Sequence, residues 1–141
     1  MAFISMNPVL NQAALVAELL RFEDPQERLS YIQDRARKAP VLSENFRTEN
    51  NLIRGCLTKV WLHASYDNGL CEFIVDSESA MVRGLAVLVA QIYSKTKPDE
   101  IVAFEAEIFN QAKLDQMITP TRQNGLLQLQ KAIQRFATGC L

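Results

Sequence analysis

Residues 59–76 read K-V-W-L-H-A-S-Y-D-N-G-L-C-E-F-I-V-D and contain the clearest structural signal in the 141-residue chain. Apolar and polar side chains alternate on both sides of Asn68-Gly69, which is the spacing of a strand with one buried face. Asn-Gly is also the dipeptide most typical of a two-residue hairpin turn, because both residues tolerate a positive φ. The stretch therefore predicts a β-hairpin.

The predicted turn also determines which side chains share a face of the hairpin. With Asn68 and Gly69 as the turn residues, three pairs of side chains lie opposite each other on the expected core face, together with Val60. These pairs are Tyr66 with Cys71, Ala64 with Phe73, and Leu62 with Val75. The other face is expected to carry Trp61, His63, Ser65, Glu72 and Ile74.

Helical periodicity precedes the hairpin. Apolar residues at 15–20 predict one helix, and Asp24-Pro25 opens a second helix that Pro40 should end. The polar residues 43–51 predict a connecting loop, and a short extra strand is expected at residues 52–54.

Helical periodicity also follows the hairpin. Residues 80–94 are apolar on almost every side, which predicts a central helix that Asp76 or Ser77 could cap. Pro98 opens a further helix, and residues 104–109 predict either its continuation or a second short piece.

The last helix is expected after Thr119-Pro120, with one apolar stripe facing the core. The elements together predict an α+β fold, in which a small antiparallel sheet of the hairpin and a short extra strand packs against several helices. The chain length suits one domain over residues 1–141.

Composition limits the classes of partner. Fifteen basic and sixteen acidic side chains leave a net charge of -1, so no global positive field is available to hold nucleic acid. The stretch from Ala80 to Ala90 is apolar but contains Arg83, and it is too short to cross a bilayer. The N-terminal residues lack the features of a signal or transit peptide, which predicts a cytoplasmic location.

The three cysteines are widely spaced, and none forms a C-x-x-C pair. In a reducing compartment this pattern predicts free thiols rather than a disulfide framework. Cys71 is expected in the core, and Cys140 is expected to be a thiol in a mobile tail. Cys56 follows Gly55 where a polar loop meets the first strand, a corner that a partner can reach.

On the residues alone, two interpretations of Cys56 stay open: a reactive corner thiol or a small buried hydrophobe. Its position has the same parity as Val60 and Leu62, so an extended chain would point Cys56 inward. Leu57 beside it adds apolar surface, and the free protein is therefore expected to shelter the thiol.

Three blocks of sequence resemble the SufE family. Residues 51–62, N-L-I-R-G-C-L-T-K-V-W-L, are similar to the family pattern N-x-V/I-x-G-C followed by V-W. Asp76-Ser77-Glu78 with the downstream V-R-G-L at 82–85 resembles the second block. Residues 114–126, L-D-Q-M-I-T-P-T-R-Q-N-G-L, resemble the third. The blocks follow one another in the family's order, and the resemblance extends to relatives of the CsdE type.

The resemblance implies a fold shared with IscU-type scaffold proteins and a role in sulfur transfer. Cys56 would accept a sulfur atom from the persulfide of a pyridoxal-phosphate-dependent cysteine desulfurase of the SufS or CsdA type. It would then pass the sulfur on to an iron-sulfur scaffold. No cofactor or metal of its own is implied, because the pyridoxal phosphate belongs to the partner. The chain would be an acceptor and activator rather than a complete enzyme.

Several residues are expected to support the Cys56 loop. Arg122 matches the arginine of the third block and would hold the loop or the thiolate, with a solvated surface arginine as the alternative. Gly55 allows the bend before the cysteine. Asp76, Ser77 and Glu78 are interpreted as a helix cap with an acidic first turn, or as contacts to the partner.

Two other functions are compatible with the cysteines. Cys56, His63 and Cys71 could be ligands of zinc or of an iron-sulfur cluster, although the predicted register separates His63 from Cys71. Alternatively, Cys56 could be a redox sensor that forms a sulfenic acid and relays no sulfur.

Overall fold

The computed structural model describes residues 7–141. Within them the regular elements are α1 Pro8–Leu19, α2 Pro25–Arg37, β1 Val60–Asp67, β2 Leu70–Ser77, α3 Ala80–Tyr93, α4 Pro98–Val102, α5 Ile108–Gln111 and α6 Pro120–Thr138. Single turns of 3-10 helix occur at Glu44–Phe46, Glu49–Asn51 and Asp115–Met117. The strands pair antiparallel with each other and the helices surround them, so the predicted α+β class is confirmed.

The hairpin has the predicted turn and register. Asn68 and Gly69 have φ angles of 54° and 81°, as a two-residue turn with two positive φ angles requires. The three predicted cross-strand pairs all form. Along β2 the core-facing Cys71, Phe73 and Val75 are all buried, whereas Tyr66 opposite Cys71 is exposed, so the turn end of β1 does not contribute to the core.

Helix α3 packs against β2 and α2 at the centre of the fold. The prediction that Asp76 or Ser77 caps it is wrong, because β2 continues through Ser77. The N-cap is Ser79, whose hydroxyl accepts a hydrogen bond from the Val82 N–H at 3.3 Å. The apolar pattern predicted the helix itself, since Leu85, Ala86, Leu88 and Ile92 are among its fully buried residues.

The loop before the hairpin differs from the sequence prediction. Instead of a strand at residues 52–54, Leu52 forms an isolated bridge with Trp61, and the Ile53 N–H donates to the Val60 carbonyl at 2.9 Å. Gly55, with a φ of 89°, then turns the chain back toward β1, so the pairing cannot extend. The polar loop at 43–51 contains two of the 3-10 turns.

Of the two possibilities predicted for residues 104–109, a second short helix is found rather than a continuation of α4, but it begins only at Ile108 and residues 104–107 are not helical. Buried Tyr93 separates the two helices, because its hydroxyl donates to the Phe104 carbonyl at 2.8 Å and accepts from the Ala106 N–H at 3.1 Å. Helix α6 begins at Pro120 as predicted, with Thr119 as its N-cap. None of the helices within residues 7–141 is long and apolar enough to cross a membrane.

Candidate functional site

Cys56 lies on the corner between the residue 52–54 segment and β1, with its thiol turned toward α6. The Cys56 Sγ donates a hydrogen bond to the Gly125 carbonyl oxygen at 3.5 Å, and the side chain is partly buried. A Cβ atom at position 125 would lie 3.1 Å from that Sγ, closer than ordinary side-chain packing allows. Glycine at 125 therefore makes room for the thiol.

The thiol faces an apolar pocket between β1, α3 and α6. Aliphatic side chains supply most of its wall, and they are Val60, Val82, Leu85, Leu126 and Leu129. Burial in this environment raises the pKa of the Cys56 thiol, because the negative thiolate loses hydration there. The resting side chain is therefore a protonated thiol at neutral pH, and the inward orientation expected from its parity is present.

The neighbours of Cys56 in the chain have opposite environments. Gly55 packs so closely on α6 that a Cβ atom there would lie 3.1 Å from the Gln128 Cγ. Leu57, by contrast, is 87% exposed. The corner thus buries the thiol on one side and presents an aliphatic side chain to solvent on the other.

Arg122 lines the same pocket, one helical turn before Gly125. Its backbone N–H donates to the Thr119 hydroxyl at 3.3 Å, whereas its side chain is exposed. Within residues 7–141 no carboxylate pairs with its guanidinium. Arg122 therefore borders the thiol pocket, and burial keeps the pKa of the Cys56 thiol raised.

Asp76 lies at the end of β2, where it links three segments. Its carboxylate is paired with Arg47 from the preceding loop and with Arg83 of α3, the latter at 3.4 Å. Arg83 also donates to the Ala36 carbonyl at 2.7 Å, and the Arg47 guanidinium lies 6.0 Å from the Trp61 ring centroid. Asp76 is buried and joins the loop, the hairpin and α3 instead of capping the helix.

Ser77 and Glu78 hold the chain just after Cys56. The Ser77 hydroxyl donates to the Lys59 carbonyl at 2.7 Å, and the Glu78 N–H donates to the same oxygen at 3.3 Å. The Glu78 carboxylate lies 3.9 Å from the Lys59 ammonium, an exposed pair. These contacts fix Lys59, the residue before the start of β1 and three positions after Cys56.

The residues of the metal hypothesis have separate environments. His63 stacks on Phe46 with ring centroids 3.8 Å apart, on the hairpin face opposite buried Cys71. In the part of the chain that the structure describes, no three His, Cys, Asp or Glu side chains are grouped closely enough to hold a metal ion.

Cys140 is not the isolated tail thiol that the sequence predicted. It follows Gly139 after the end of α6, and its side chain is partly buried against the core. Cys71 has no exposed surface, and burial together with Cys140 raises its pKa to about 11. The core position predicted for Cys71 is correct.

Two residues that matter at this site had no assigned role in the sequence. Gly125 is part of the third block, but only the contact with the Cys56 Sγ reveals why glycine is needed there. A glycine within an otherwise regular helix was the available signal, since it usually has a packing reason. Gln128, which packs on Gly55, carried no comparable signal.

Comparison with known proteins agrees with the geometry. A family model described as "SufE: Fe-S metabolism associated domain" matches residues 13–137. An uncharacterized SufE-like protein of Rhizobium etli is 34% identical over 128 residues, covering 87% of this chain and 86% of the relative. A protein of Wigglesworthia glossinidia brevipalpis named "Cysteine desulfuration protein SufE" is 30% identical over 134 residues, covering 94% and 93%.

A solved structure has the same fold. The solution structure of a hypothetical protein from Thermus thermophilus aligns with a TM-score of 0.77, covering 96% of this chain and 97% of that one. Sequence identity is 16%, so this likeness concerns the fold alone.

Proposed function

This chain belongs to the SufE family, and from that premise we propose that it accepts sulfur on Cys56 from a cysteine desulfurase and stimulates that enzyme. The relative from Wigglesworthia is named for cysteine desulfuration, which supports this activity. One observation about the chain itself carries the assignment to Cys56. Cys56 lies on a loop corner with its thiol at an apolar pocket, whereas Cys71 has no exposed surface and Cys140 follows the last helix.

The proposed step is a thiol-persulfide exchange. The Cys56 thiolate attacks the terminal sulfur of the enzyme's persulfide, the S–S bond of the donor breaks, and the donor cysteine leaves as a thiolate. Cys56 then carries the sulfur as Cys-S-SH. One S–S bond forms while one breaks, so no external oxidant or reductant is needed. A second exchange of the same kind would pass the sulfur to an iron-sulfur scaffold.

The chain's contribution is to hold and present the thiol. The pyridoxal phosphate that releases sulfur from cysteine would belong to the desulfurase, of the SufS or CsdA type. Free thiols suit a reducing compartment, and we place the reaction in the cytoplasm.

The pocket explains how the thiol could be kept unreactive between encounters. Burial raises the pKa of Cys56, so the free protein holds few thiolates at neutral pH. Docking on the desulfurase would have to turn the corner outward, which restores hydration and lowers the pKa toward its ordinary value. Leu57 is the exposed apolar residue next to the thiol, and we assign it to this docking contact.

The same features disfavour a redox sensor at Cys56. Sensor thiols are exposed and have lowered pKa values, because a thiolate reacts with peroxide. Cys56 is partly buried with a raised pKa, which is the opposite arrangement.

Stimulation of a desulfurase tests the proposal. With cysteine as substrate and alanine release as the readout, the unmodified chain should increase turnover of the desulfurase from the same organism. Cys56→Ser should abolish this increase, whereas Cys140→Ser, a matched change of a partly buried thiol, should retain it. Equal stimulation by the Cys56→Ser variant would refute the assignment.

A further inference from the structure

Gln128 of α6 packs against the glycine that precedes the proposed sulfur carrier. Its Cγ and Cδ atoms lie 3.1 and 3.8 Å from the position that a Cβ atom on Gly55 would take. Among the described residues outside the immediate chain neighbours of Gly55, only Gln128 has atoms within 4 Å of that position. The Gln128 side chain therefore fills the space that a side chain at position 55 would use.

Gly125 and Gln128 are three residues apart and lie on the same side of α6. The Sγ, Cβ and Cα atoms of Cys56 lie 3.1, 3.7 and 3.8 Å from the position of a Cβ atom on Gly125, so the whole residue packs on that glycine. Gly55 packs on Gln128, one turn further along the helix. Two successive residues of the corner thus contact two successive turns of α6.

The direction of each side chain around α6 shows on which side Gln128 holds the corner. At about 100° per residue, Leu129 and Leu126 lie about 40° and 100° to one side of Gly125. Both leucines line the pocket that the Cys56 thiol faces. Gln128 lies about 60° to the other side of Gly125. The corner therefore lies on Gly125 between the apolar wall of the pocket and Gln128.

Gly55 is the residue at which this corner can rotate. Its φ of 89° is in the region that favours glycine, and it has no side chain to anchor it. Rotation at Gly55 that moves Cys56 away from α6 has to break two contacts. One is the hydrogen bond from the Cys56 Sγ to the Gly125 carbonyl, and the other is the packing of Gly55 on Gln128.

Gln128 makes its contact with the aliphatic part of its side chain. The residue is partly exposed, and within residues 7–141 its amide has no hydrogen-bond partner in the protein. Moving the side chain aside therefore loses packing but breaks no hydrogen bond to the protein. A contact of this kind holds the corner closed and still allows it to open.

We propose that Gln128 is a positioning residue, which holds the Gly55–Cys56 corner on α6 and thereby determines how readily the thiol leaves its pocket. When this contact is removed, the outward position of the corner becomes more populated, and a reagent or a partner reaches the sulfur more often. The part of the inference that concerns the sulfur donor rests on the proposed function. The part that concerns shelter of the thiol depends only on Gln128 and the corner.

Alkylation of Cys56 by iodoacetamide tests the inference, with the rate measured on the Cys56 peptide by mass spectrometry. Gln128→Ala removes the Cγ methylene group, and the rate should rise about fourfold, the factor expected when one buried methylene contact is lost. Gln128→Met keeps the Cγ atom but has no amide, and it should react at the rate of the unmodified chain. Lys131→Ala, an exposed change one turn further along α6, is the matched control and should also react at that rate.

Titration of the desulfurase with the same variants separates positioning from a loss of structure. Gln128→Ala should lower the concentration that gives half-maximal stimulation by the same factor, because more of the chain already has the corner turned outward. Its maximal stimulation should equal that of the unmodified chain. A merely structural role of Gln128 would instead lower the melting temperature and the maximal stimulation together.

The two measurements distinguish failure of the inference from failure of the proposed function. Faster alkylation of Gln128→Ala, with no stimulation even by the unmodified chain, would refute the proposed function and leave the positioning role of Gln128 standing. Faster alkylation with an unchanged half-maximal concentration would overturn the part that concerns the sulfur donor. Alkylation of Gln128→Ala at the unmodified rate, or of Gln128→Met as fast as Gln128→Ala, would overturn the inference as a whole.

Discussion

The Cys56 Sγ lies 3.5 Å from the Gly125 carbonyl oxygen, and this contact joins the loop corner to α6. Because position 125 has no side chain, the sulfur reaches the helix backbone at the edge of the apolar pocket. The contact accounts for both properties of the thiol, its partial burial and its raised pKa. Changes at either residue should therefore affect the reactivity of the Cys56 thiol more than the stability of the fold.

Replacing Gly125 with alanine should push Cys56 out of its pocket. The new methyl group would lie 3.1 Å from Sγ, and overpacking of this kind costs about 1–3 kcal/mol. The alkylation rate of Cys56 should then rise about tenfold or more. Alanine is favoured over glycine within a helix by about 1 kcal/mol, so the melting temperature should change little.

Gly139→Ala is the matched control for that change. Gly139 lies at the other end of α6 with a φ of -67°, which alanine adopts without strain. The Gly139→Ala variant should be alkylated at Cys56 at the same rate as the unmodified chain. If the Gly125→Ala variant alkylates at that same rate, the contact does not shelter the thiol.

Asp76→Asn should destabilise the protein, because the change leaves Arg83 and Arg47 without their shared counter-ion. We expect a loss of about 1–3 kcal/mol in the free energy of unfolding, measured by urea denaturation. Asp34→Asn removes an exposed pair with Arg37 and should change stability by less than about 0.5 kcal/mol. Equal effects of the two variants would show that Asp76 is not the structural link between the loop, hairpin and α3.

Cys71→Ser should cost stability under reducing conditions, because a hydroxyl at a position with no exposed surface must find a hydrogen-bond partner. The expected loss is about 1–3 kcal/mol by thermal or urea unfolding. Cys140→Ser, at a partly exposed position, should change stability by about 0.5 kcal/mol or less. A stable Cys71→Ser variant that no longer accepts sulfur would instead point to a chemical role for Cys71.

The pH dependence of Cys56 alkylation should reveal the raised pKa. Alkylating reagents react with the thiolate, and a raised pKa means that less thiolate is present at every pH below it. The measurement uses the Cys71→Ala/Cys140→Ser variant, in which Cys56 is the remaining thiol. The alkylation rate of the folded protein should still rise with pH at values where the rate of the protein unfolded in urea has levelled off. Adding the desulfurase should lower the pH at which the alkylation rate reaches half its maximum. A folded-state midpoint at or below that in urea would contradict the sheltered thiol.

The hairpin and its register could be predicted because they depend on local sequence. Asn68-Gly69 determines the turn, and the period-two alternation then assigns Phe73 and Val75 to the core. The inward orientation of Cys56 followed from the same alternation, although the chain turns at Gly55.

The errors arose where distant segments meet. Asp76 resembles a helix cap in sequence, but its partners are Arg47 and Arg83, which only the folded chain brings together. Cys140 near the C-terminus resembles a tail residue in sequence, but its side chain is partly buried against the core. Such contacts leave no periodic signal in a single sequence.

Mass spectrometry of the chain after brief mixing with its desulfurase and cysteine tests the central claim most directly. We predict an added mass of about 32 Da on the peptide that contains Cys56, removed by dithiothreitol and absent from the Cys56→Ser variant. An added sulfur found only on Cys71 or Cys140, or no added sulfur on any cysteine while the desulfurase turns over, would contradict the claim that Cys56 carries the sulfur.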